Sequence, residues 1–568
     1  MADHHDQVAE AAVEKAAADP RDPASFTLIS EPRASTRDNL VMMADEDELG
    51  HNAVGETFAR IKVDNHVECY RIRSQEYKDH IINKFAHHPV FMREVGGKKR
   101  PATASKQAVD EALCCIDAMA RMPGTLESEA ALRSVLYGDG LYIDLGDPKW
   151  RSIEVRPDGW RVLDQSPVPI LRSRKAGSLP MPDGPGDLSA LRQVMPQMDD
   201  RDFMLLVCWI VVSLWPRRPY LILGLAGEQG AGKSTLSRMV RRLVDPSAGE
   251  VLQPPTNERD LVAAARHSYV LAFDNISFLS AELADGLCRL ATGAQLGGRA
   301  LFSDFDVASF DAARPIIMNG IPDLANRGDL ASRTIGITLQ PLAQNRTEAE
   351  LWEAFEAAGP KAMAAILDGL VLVTRNLKAT SVPQGLRMAD CARIAAAAAP
   401  AFGWTSAQGV SALKANANSL AEVLIEGDVL ADAVVRYMER EHSFAGSATE
   451  LLKALDALMF AGDRRPKEWP SNGKRLSELL RRMAPALRSA HGIDFVAYKS
   501  NGKRLIRLSQ WALRQASEAC APASLSAPDA LDPDAQTWPD RGAQGRRDGA
   551  AEGSLDPSEG VGAWEDEL

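Results

Sequence analysis

One nine-residue stretch limits what this chain can fold into. It reads Gly227-Glu228-Gln229-Gly230-Ala231-Gly232-Lys233-Ser234-Thr235 and satisfies the spacing GxxxxGK[ST] in full. Ahead of it, Tyr220 to Ala226 is an apolar run of strand length. Behind it, Leu236, Met239, Val240, Leu243 and Val244 recur three and four residues apart, so one face of a helix is apolar. Asp245-Pro246 then marks the helix exit. Glycines let backbone N–H groups close around phosphate oxygens without Cβ clashes. The helix N-terminus adds partial positive charge and free donors. Lys233 is placed to reach the β- and γ-phosphates and the Ser234 hydroxyl to hold Mg²⁺. ATP and Mg²⁺ are therefore the expected cofactors.

Downstream residues extend the pattern. His267 to Phe273 is an apolar strand that ends in Asp274, a carboxylate suited to holding Mg²⁺ through water; an ordinary turn-capping Asp is the plainer alternative. Asn275 follows, where many ATPases carry a Glu that activates water. Asn cannot accept that proton, so either another carboxylate such as Glu228 serves or Asn275 only orients the water, an arrangement compatible with slow hydrolysis. Arg314 to Met318 leads to Asn319-Gly320, either a γ-phosphate sensor or a turn. Arg327 and Arg333 precede a further strand, Thr334 to Leu339. Arg333 suits an arginine finger that neutralises transition-state charge on a neighbouring subunit, or a surface pair with Asp329.

The order GEQGAGKS, YVLAFDN, LATGAQLGGRALFSDFD, PIIMNG and then an Arg before a strand resembles superfamily 3 helicases. It looks most like the ATPase half of phage, plasmid and poxvirus-type primase-helicases. A Thr-Gly, Arg, Leu-aromatic signature of that family would fall on Thr292-Gly293, Arg299 and Leu301-Phe302. The resemblance covers about residues 200–345. It implies an AAA+-like P-loop NTPase fold, a hexameric ring and a DNA-contacting hairpin. It also implies Lys233 and Ser234 on phosphate and Mg²⁺, Asp274 as the acid, Asn319 as sensor and Arg333 as a trans-acting finger. Asn275 departs from the family, and so does the hairpin, which carries one Arg against three Asp over 297–311. A primase site is not evident: Asp139, Asp144 and Asp147 suit turns better.

Charge is unevenly placed. The chain of 568 residues has a formal net charge of −12, yet residues 1–50 and 511–568 each carry 12 acidic and 4 basic side chains. The middle is mildly basic, so an acidic average does not argue against nucleic acid. The apolar stretch Phe203 to Trp215 is too short to span a bilayer and suits a buried helix, and no membrane role is expected. The first residues lack a basic start and an apolar core, so no secretory signal is expected. Seven cysteines without CxxC pairing indicate neither a disulfide framework nor a zinc ribbon, and point to a reducing, cytoplasmic setting.

The expected organisation is α/β with additions. Residues 1–50 form a disordered acidic start, 51–175 a small α+β domain, and 176–200 a Pro/Gly linker. Residues 201–345 form the P-loop domain with a mostly parallel sheet and flanking helices. Residues 346–440 are helical, 442–510 form a basic winged-helix-like unit, and 511–568 a disordered acidic tail. Within the basic unit, residues 464–507 hold twelve Lys/Arg and three acids. A helix from Lys474 to Ala490 is followed by two strands around Asn501-Gly502. Lys474, Arg475, Arg481 and Arg482 on that helix, with Lys499, Lys503 and Arg504 on the wing, are candidate contacts to duplex DNA; Arg299 is a candidate in the central hairpin. A solvated charged face or a protein-docking module is the alternative.

The expected function is an ATP-dependent, DNA-acting ring ATPase of a bacterial mobile element, working in replication. Two rivals stand beside it: a nucleotide-gated oligomeric switch with slow hydrolysis, and a small-molecule kinase. No arginine-bearing lid is evident for the kinase.

Overall fold

The computed structural model describes residues 35–510, except 96, 250, 294–295, 300–306, 311–312, 321–327, 343–345, 427, 460–465, 467–468 and 501. Contacts divide the chain into residues 1–514 and 515–568. The expected acidic tail, Arg327 and Leu301-Phe302 lie outside the described residues.

The architecture is mixed α/β. Its central sheet has four parallel strands, in spatial order Leu271–Phe273, Ile316–Asn319, Ile222–Gly227 and Thr334–Leu339. The first four residues of Ile222–Gly227 are buried, as in a strand covered on both faces. Parallel neighbours need crossovers, and helices Lys233–Val244, Glu258–His267 and Ala281–Thr292 lie between the strands in sequence. Leu225 stands opposite Asn319 and Phe273 opposite Met318, so the carboxyl ends of three strands finish together. That is the end at which open α/β sheets take ligands.

The apolar stretch forms helix Asp200–Leu214, capped by the Asp199 side chain and buried along most of its length. Trp209 donates its indole N–H to the Leu221 carbonyl at 2.8 Å, tying this helix to the start of the loop strand. Helix Glu348–Asn376 is long and apolar enough to cross a membrane, but 67% of its apolar window is buried inside the fold, as in a core helix.

Four expected boundaries are corrected. Residues 36–50 are ordered: Thr36–Met42 is a helix and Glu48–His51 a strand, because Leu40, Met43 and Ala44 bury in the N-terminal core. Residues 1–34 lie outside the described residues. The 51–175 segment contributes to two four-stranded sheets, and its second half packs with the core of the P-loop region. Its first half is a four-stranded sheet, with Thr57–Val63 between Glu48–His51 and His66–Arg71 and with Leu126–Glu127 beyond. Its second half is an antiparallel meander, Ser134–Tyr137, Gly140–Asp144, Ser152–Arg156 and Gly159–Leu163. Leu141, Ile143, Ile153 and Val155 of that meander share one core with Leu223, Leu225 and Phe355. The expected 176–200 linker is packed into the same core through Leu179, Leu191, Val194, Met195 and Met198. The basic unit starts earlier than 442, because helix Val429–Glu441 buries Leu430, Val434 and Met438 in that unit's own core. From there the order is strand Ser443–Gly446, helix Ala448–Met459, helix Gly473–His491, and strands Ile493–Ser500 and Lys503–Gln510. Ser443–Gly446 adds to the hairpin as a third strand, so the sheet is larger than the expected pair.

Candidate active site

The glycine loop begins where the buried strand Ile222–Gly227 runs out. Gly227, Gly230 and Gly232 have φ of 141°, 86° and 80°, which side chains resist. A Cβ on Gly227 would also lie 2.7 Å from the Leu339 carbonyl oxygen, so that glycine is needed for space as well. Gly232 caps helix Lys233–Val244 without a side-chain bond, leaving the first N–H groups open to the loop. Lys233 folds back into the loop, its Nζ donating to the Gly227 and Glu228 carbonyls at 2.8 Å each. Glu228, Gln229 and Gly230 are exposed, Ala231 is buried, and Thr235 is half-buried.

Ser234 and Asp274 meet. The Ser234 hydroxyl donates to Asp274 Oδ1 at 2.9 Å, across 40 residues of chain. Two oxygen ligands this close fit Mg²⁺, which takes one or two protein oxygens and fills its shell with phosphate and water. The strand that delivers Asp274 is only Leu271–Phe273, shorter than the apolar run suggests, and all three of its residues are buried.

Asn319 is 2% exposed, and both ends of its side-chain amide are hydrogen-bonded. Its Oδ1 accepts from the Asn275 backbone N–H at 2.7 Å, and its Nδ2 donates to the Ser237 hydroxyl at 3.1 Å. The Ile276 N–H also donates to the Asn319 carbonyl at 3.0 Å. Asn319 thus spans the loop helix and the turn after Asp274. Asn275 has a φ of 54°, a left-handed conformation that Asn tolerates, and its residue is exposed. A Cβ on Gly320 would sit 3.0 Å from Asn275 Cα, so the Asn-Gly pair is a close backbone approach as well as a turn.

Arg333 is placed elsewhere. Its neighbour Thr334 pairs with Ile222 and Leu339 with Gly227, so Arg333 lies at the opposite end of the sheet from the loop. That separation is about 17 Å along the strand. Its Nη1 donates to the Asp329 carbonyl at 2.8 Å, and its Nη1 is 3.8 Å from Asp329 Oδ1. Arg387 reaches the same carboxylate at 2.9 Å. Arg299 ends strand Leu296–Arg299, which pairs with Val307–Phe310. Thr292 and Gly293 close helix Ala281–Thr292: Gly293 is the left-handed cap, and its carbonyl accepts from Arg218 at 2.6 Å.

The basic side chains of the C-terminal unit remain on its surface. Lys474, Arg475, Arg481, Arg482, Lys499, Lys503 and Arg504 are all exposed, and Arg475 is 3.4 Å from Glu478. Lys499 and Arg504 stand opposite each other across the hairpin.

Three residues that position the site carry no motif signal. Ser237 looks like any helical Ser, yet it bonds Asn319. Gln197 is buried against the loop, with its Nε2 3.8 Å from where a Gly232 Cβ would lie. Its Oε1 has no hydrogen-bond partner among the described residues. Asp245, legible only as a helix exit, accepts from the backbone N–H groups of Tyr269 and Val270 at 3.1 and 3.0 Å. It therefore fixes the entry to the strand that ends in Asp274. The three acids weighed near the meander are structural: Asp144 pairs with Arg172 at 2.6 Å, Asp147 with Arg151 at 2.7 Å and Asp139 with Arg156 at 2.6 Å.

Two sequence families match consecutive parts of the chain. Residues 193–425 match the Actinomycete integrative conjugative element replication protein family, and residues 430–523 match the AICE RepA C-terminal domain. The second match begins within one residue of helix Val429–Glu441. The phosphonates import ATP-binding protein PhnC of Alcaligenes faecalis is 46% identical over 67 residues. That stretch is 12% of this chain, and the chain spans only 23% of that relative's length. Among solved structures, the SCCmec type IV Cch active helicase matches with a TM-score of 0.43 at 11% identity. The match covers 83% of this chain and 94% of that one. The NrS-1 C-terminal region in its A-form apo structure matches with a TM-score of 0.34 at 10% identity, covering 83% of this chain and 98% of that one. Over these residues the chain is thus similar to replication proteins of integrative conjugative elements.

Proposed function

We propose, from the replication-protein likeness over residues 193–425 and 430–523, that this protein is a P-loop ATPase that works on DNA during replication of a mobile element. The single observation that carries the reading is the Ser234–Asp274 contact beside a Lys233 seated in the glycine loop. Loop N–H groups and Lys233 would bind the triphosphate, and Ser234 and Asp274 would hold Mg²⁺. The ion would supply charge neutralisation at the phosphates. Asn319 holds the Asn275 turn at a set distance from the loop helix, so its role is to orient the groups around the attacking water.

Arg333 is too far from its own loop to act within one subunit, which supports a finger acting on a neighbour in a ring, with a hexamer as the assembly implied by the superfamily 3 resemblance. The order helix, strand, helix, helix, two-stranded wing over 429–510 supports a winged helix that binds duplex DNA through Gly473–His491 and the hairpin. The setting is the cytoplasm.

ATP hydrolysis measured with and without duplex DNA, together with sizing in a non-hydrolysable analogue, tests the reading. DNA-stimulated turnover by an oligomer supports it. DNA-indifferent turnover by a lone subunit removes it. A second reading, a nucleotide-gated switch, draws on Asn275: an exposed amide stands where a carboxylate would accept the proton of water. Slow, DNA-indifferent hydrolysis by an ATP-assembled oligomer would favour that reading.

A further inference from the structure

Thr334–Leu339 is an outer strand of the central sheet, so one row of its backbone groups has no strand to bond. Helix Ser406–Glu426 covers that edge. The Asn416 side chain meets Gly336 as a strand backbone would: Oδ1 accepts from the Gly336 N–H at 3.0 Å, and Nδ2 donates to the Gly336 carbonyl at 2.6 Å. Asn416 is buried, and Leu420, one turn later, fills the space a Gly336 Cβ would need, with Cδ2 at 2.7 Å. Both contacts lock the helix to one register of the strand. The strand ends at Leu339, against which the first glycine of the loop, Gly227, is packed.

The same helix grips the basic unit. Two residues after Asn416, Asn418 Oδ1 accepts from the Ser489 hydroxyl at 2.5 Å, and Ser489 lies on helix Gly473–His491. The turn that leads into Arg333 is held by both helices as well. A Cβ on Gly328 would lie 3.7 Å from Leu424 Cδ1 and 3.9 Å from the Arg482 carbonyl oxygen. One rigid helix therefore carries hydrogen bonds to the nucleotide sheet and to the basic helix within a single turn.

We propose that Asn416 is a positioning residue through which duplex DNA on helix Gly473–His491 and nucleotide in the glycine loop sense one another. The proposal rests on the DNA-binding reading of the basic unit. A shift of the basic helix pulls on Asn418, Asn416 moves with it, and the edge strand moves against Gly227 at one end and Arg333 at the other. Linkage then requires reciprocity: nucleotide must change DNA affinity by the same factor by which DNA changes nucleotide affinity.

The test uses the full chain, a fluorescent duplex and a non-hydrolysable ATP analogue. Each Kd is measured with and without the other ligand. The wild-type protein should show equal ratios of about 5-fold or more. Asn416→Ala should bind each ligand alone with wild-type affinity while both ratios fall together towards one. Because Asn416 is buried, exposed Asn418→Ala serves as the second variant, with the same expectation. Wild-type ratios in both variants overturn the proposal. A wild-type protein that binds DNA and nucleotide independently overturns it too, yet leaves the DNA-binding reading standing. Absence of duplex binding removes that reading and the coupling with it.

Discussion

Arg133 and Asp245, 112 residues apart in the chain, form a buried ion pair with Nη2 2.9 Å from Oδ1. The pair joins three segments. Arg133 precedes the meander strand Ser134–Tyr137 and also donates to the Asp144 carbonyl at 3.1 Å. Asp245 ends the loop helix and anchors the backbone before the strand to Asp274. Removing one partner of a buried pair strands the other charge. Arg133→Ala should therefore cost about 3–5 kcal/mol. A thermal melt of the variant against wild type checks this, and an unchanged melting temperature would contradict it.

Loss of the Lys233 ammonium should abolish nucleotide binding or turnover, because the loop N–H groups alone leave most phosphate charge uncompensated. Asp274→Asn should instead spare Mg²⁺-free nucleotide binding and weaken its Mg²⁺ dependence. Binding of a fluorescent ATP analogue, titrated with Mg²⁺, separates the two. Wild-type binding by Lys233→Ala would contradict the proposed site.

Asn319→Ala leaves the Asn275 N–H and the Ser237 hydroxyl without their partner. Turnover should drop about 100-fold or more, by analogy with the removal of one oriented hydrogen-bonding group in a preorganised site. Nucleotide affinity should change little, since Asn319 is bonded to protein and not aimed at the loop. A fall in affinity equal to the fall in turnover would mean that the whole loop had shifted.

Arg333→Ala should bind nucleotide but not turn it over. Mixing it with Lys233→Ala protein should restore part of the activity, because one subunit then supplies the loop and its neighbour the guanidinium. Full activity of Arg333→Ala alone would reduce this residue to its pairing with Asp329.

Glu154 gives a pH signature. Burial would raise its carboxyl, but hydrogen bonds from Arg156, Tyr142 and Arg161 overcome that and hold it at about 2, below the ordinary 4.5. The folded protein therefore binds fewer protons here than the unfolded chain. The stabilisation is complete above the ordinary value and is lost as pH falls from there through about 2. Glu154→Gln should flatten this part of the stability–pH curve. An unaltered slope in denaturant unfolding between these limits would contradict the assignment.

What could be read from the residues alone was local. The glycine loop, the apolar face of its helix and the helix Gly473–His491 each depend on neighbours within a few positions, and periodicity reports such neighbours. Asp274 and Asn319 were legible as strand-end polar residues, but not the bond that ties each to the loop helix. The expected break between 175 and 201 rested on Pro and Gly content. Such residues mark turns, and turns can sit on a core as readily as between domains.

The amino-acid order by itself therefore determined the strands and helices next to the glycine loop, where a triphosphate would be cradled, and that positive charge gathers in the basic unit. Only the tertiary structure decided which of these segments share a core and which side chains close the site. Arg133 finds Asp245, Asn416 finds Gly336 and Asn319 finds Ser237 across long loops of chain. The physical reason is that a buried polar group must find a partner, and which partner lies within reach is settled only when the layers pack.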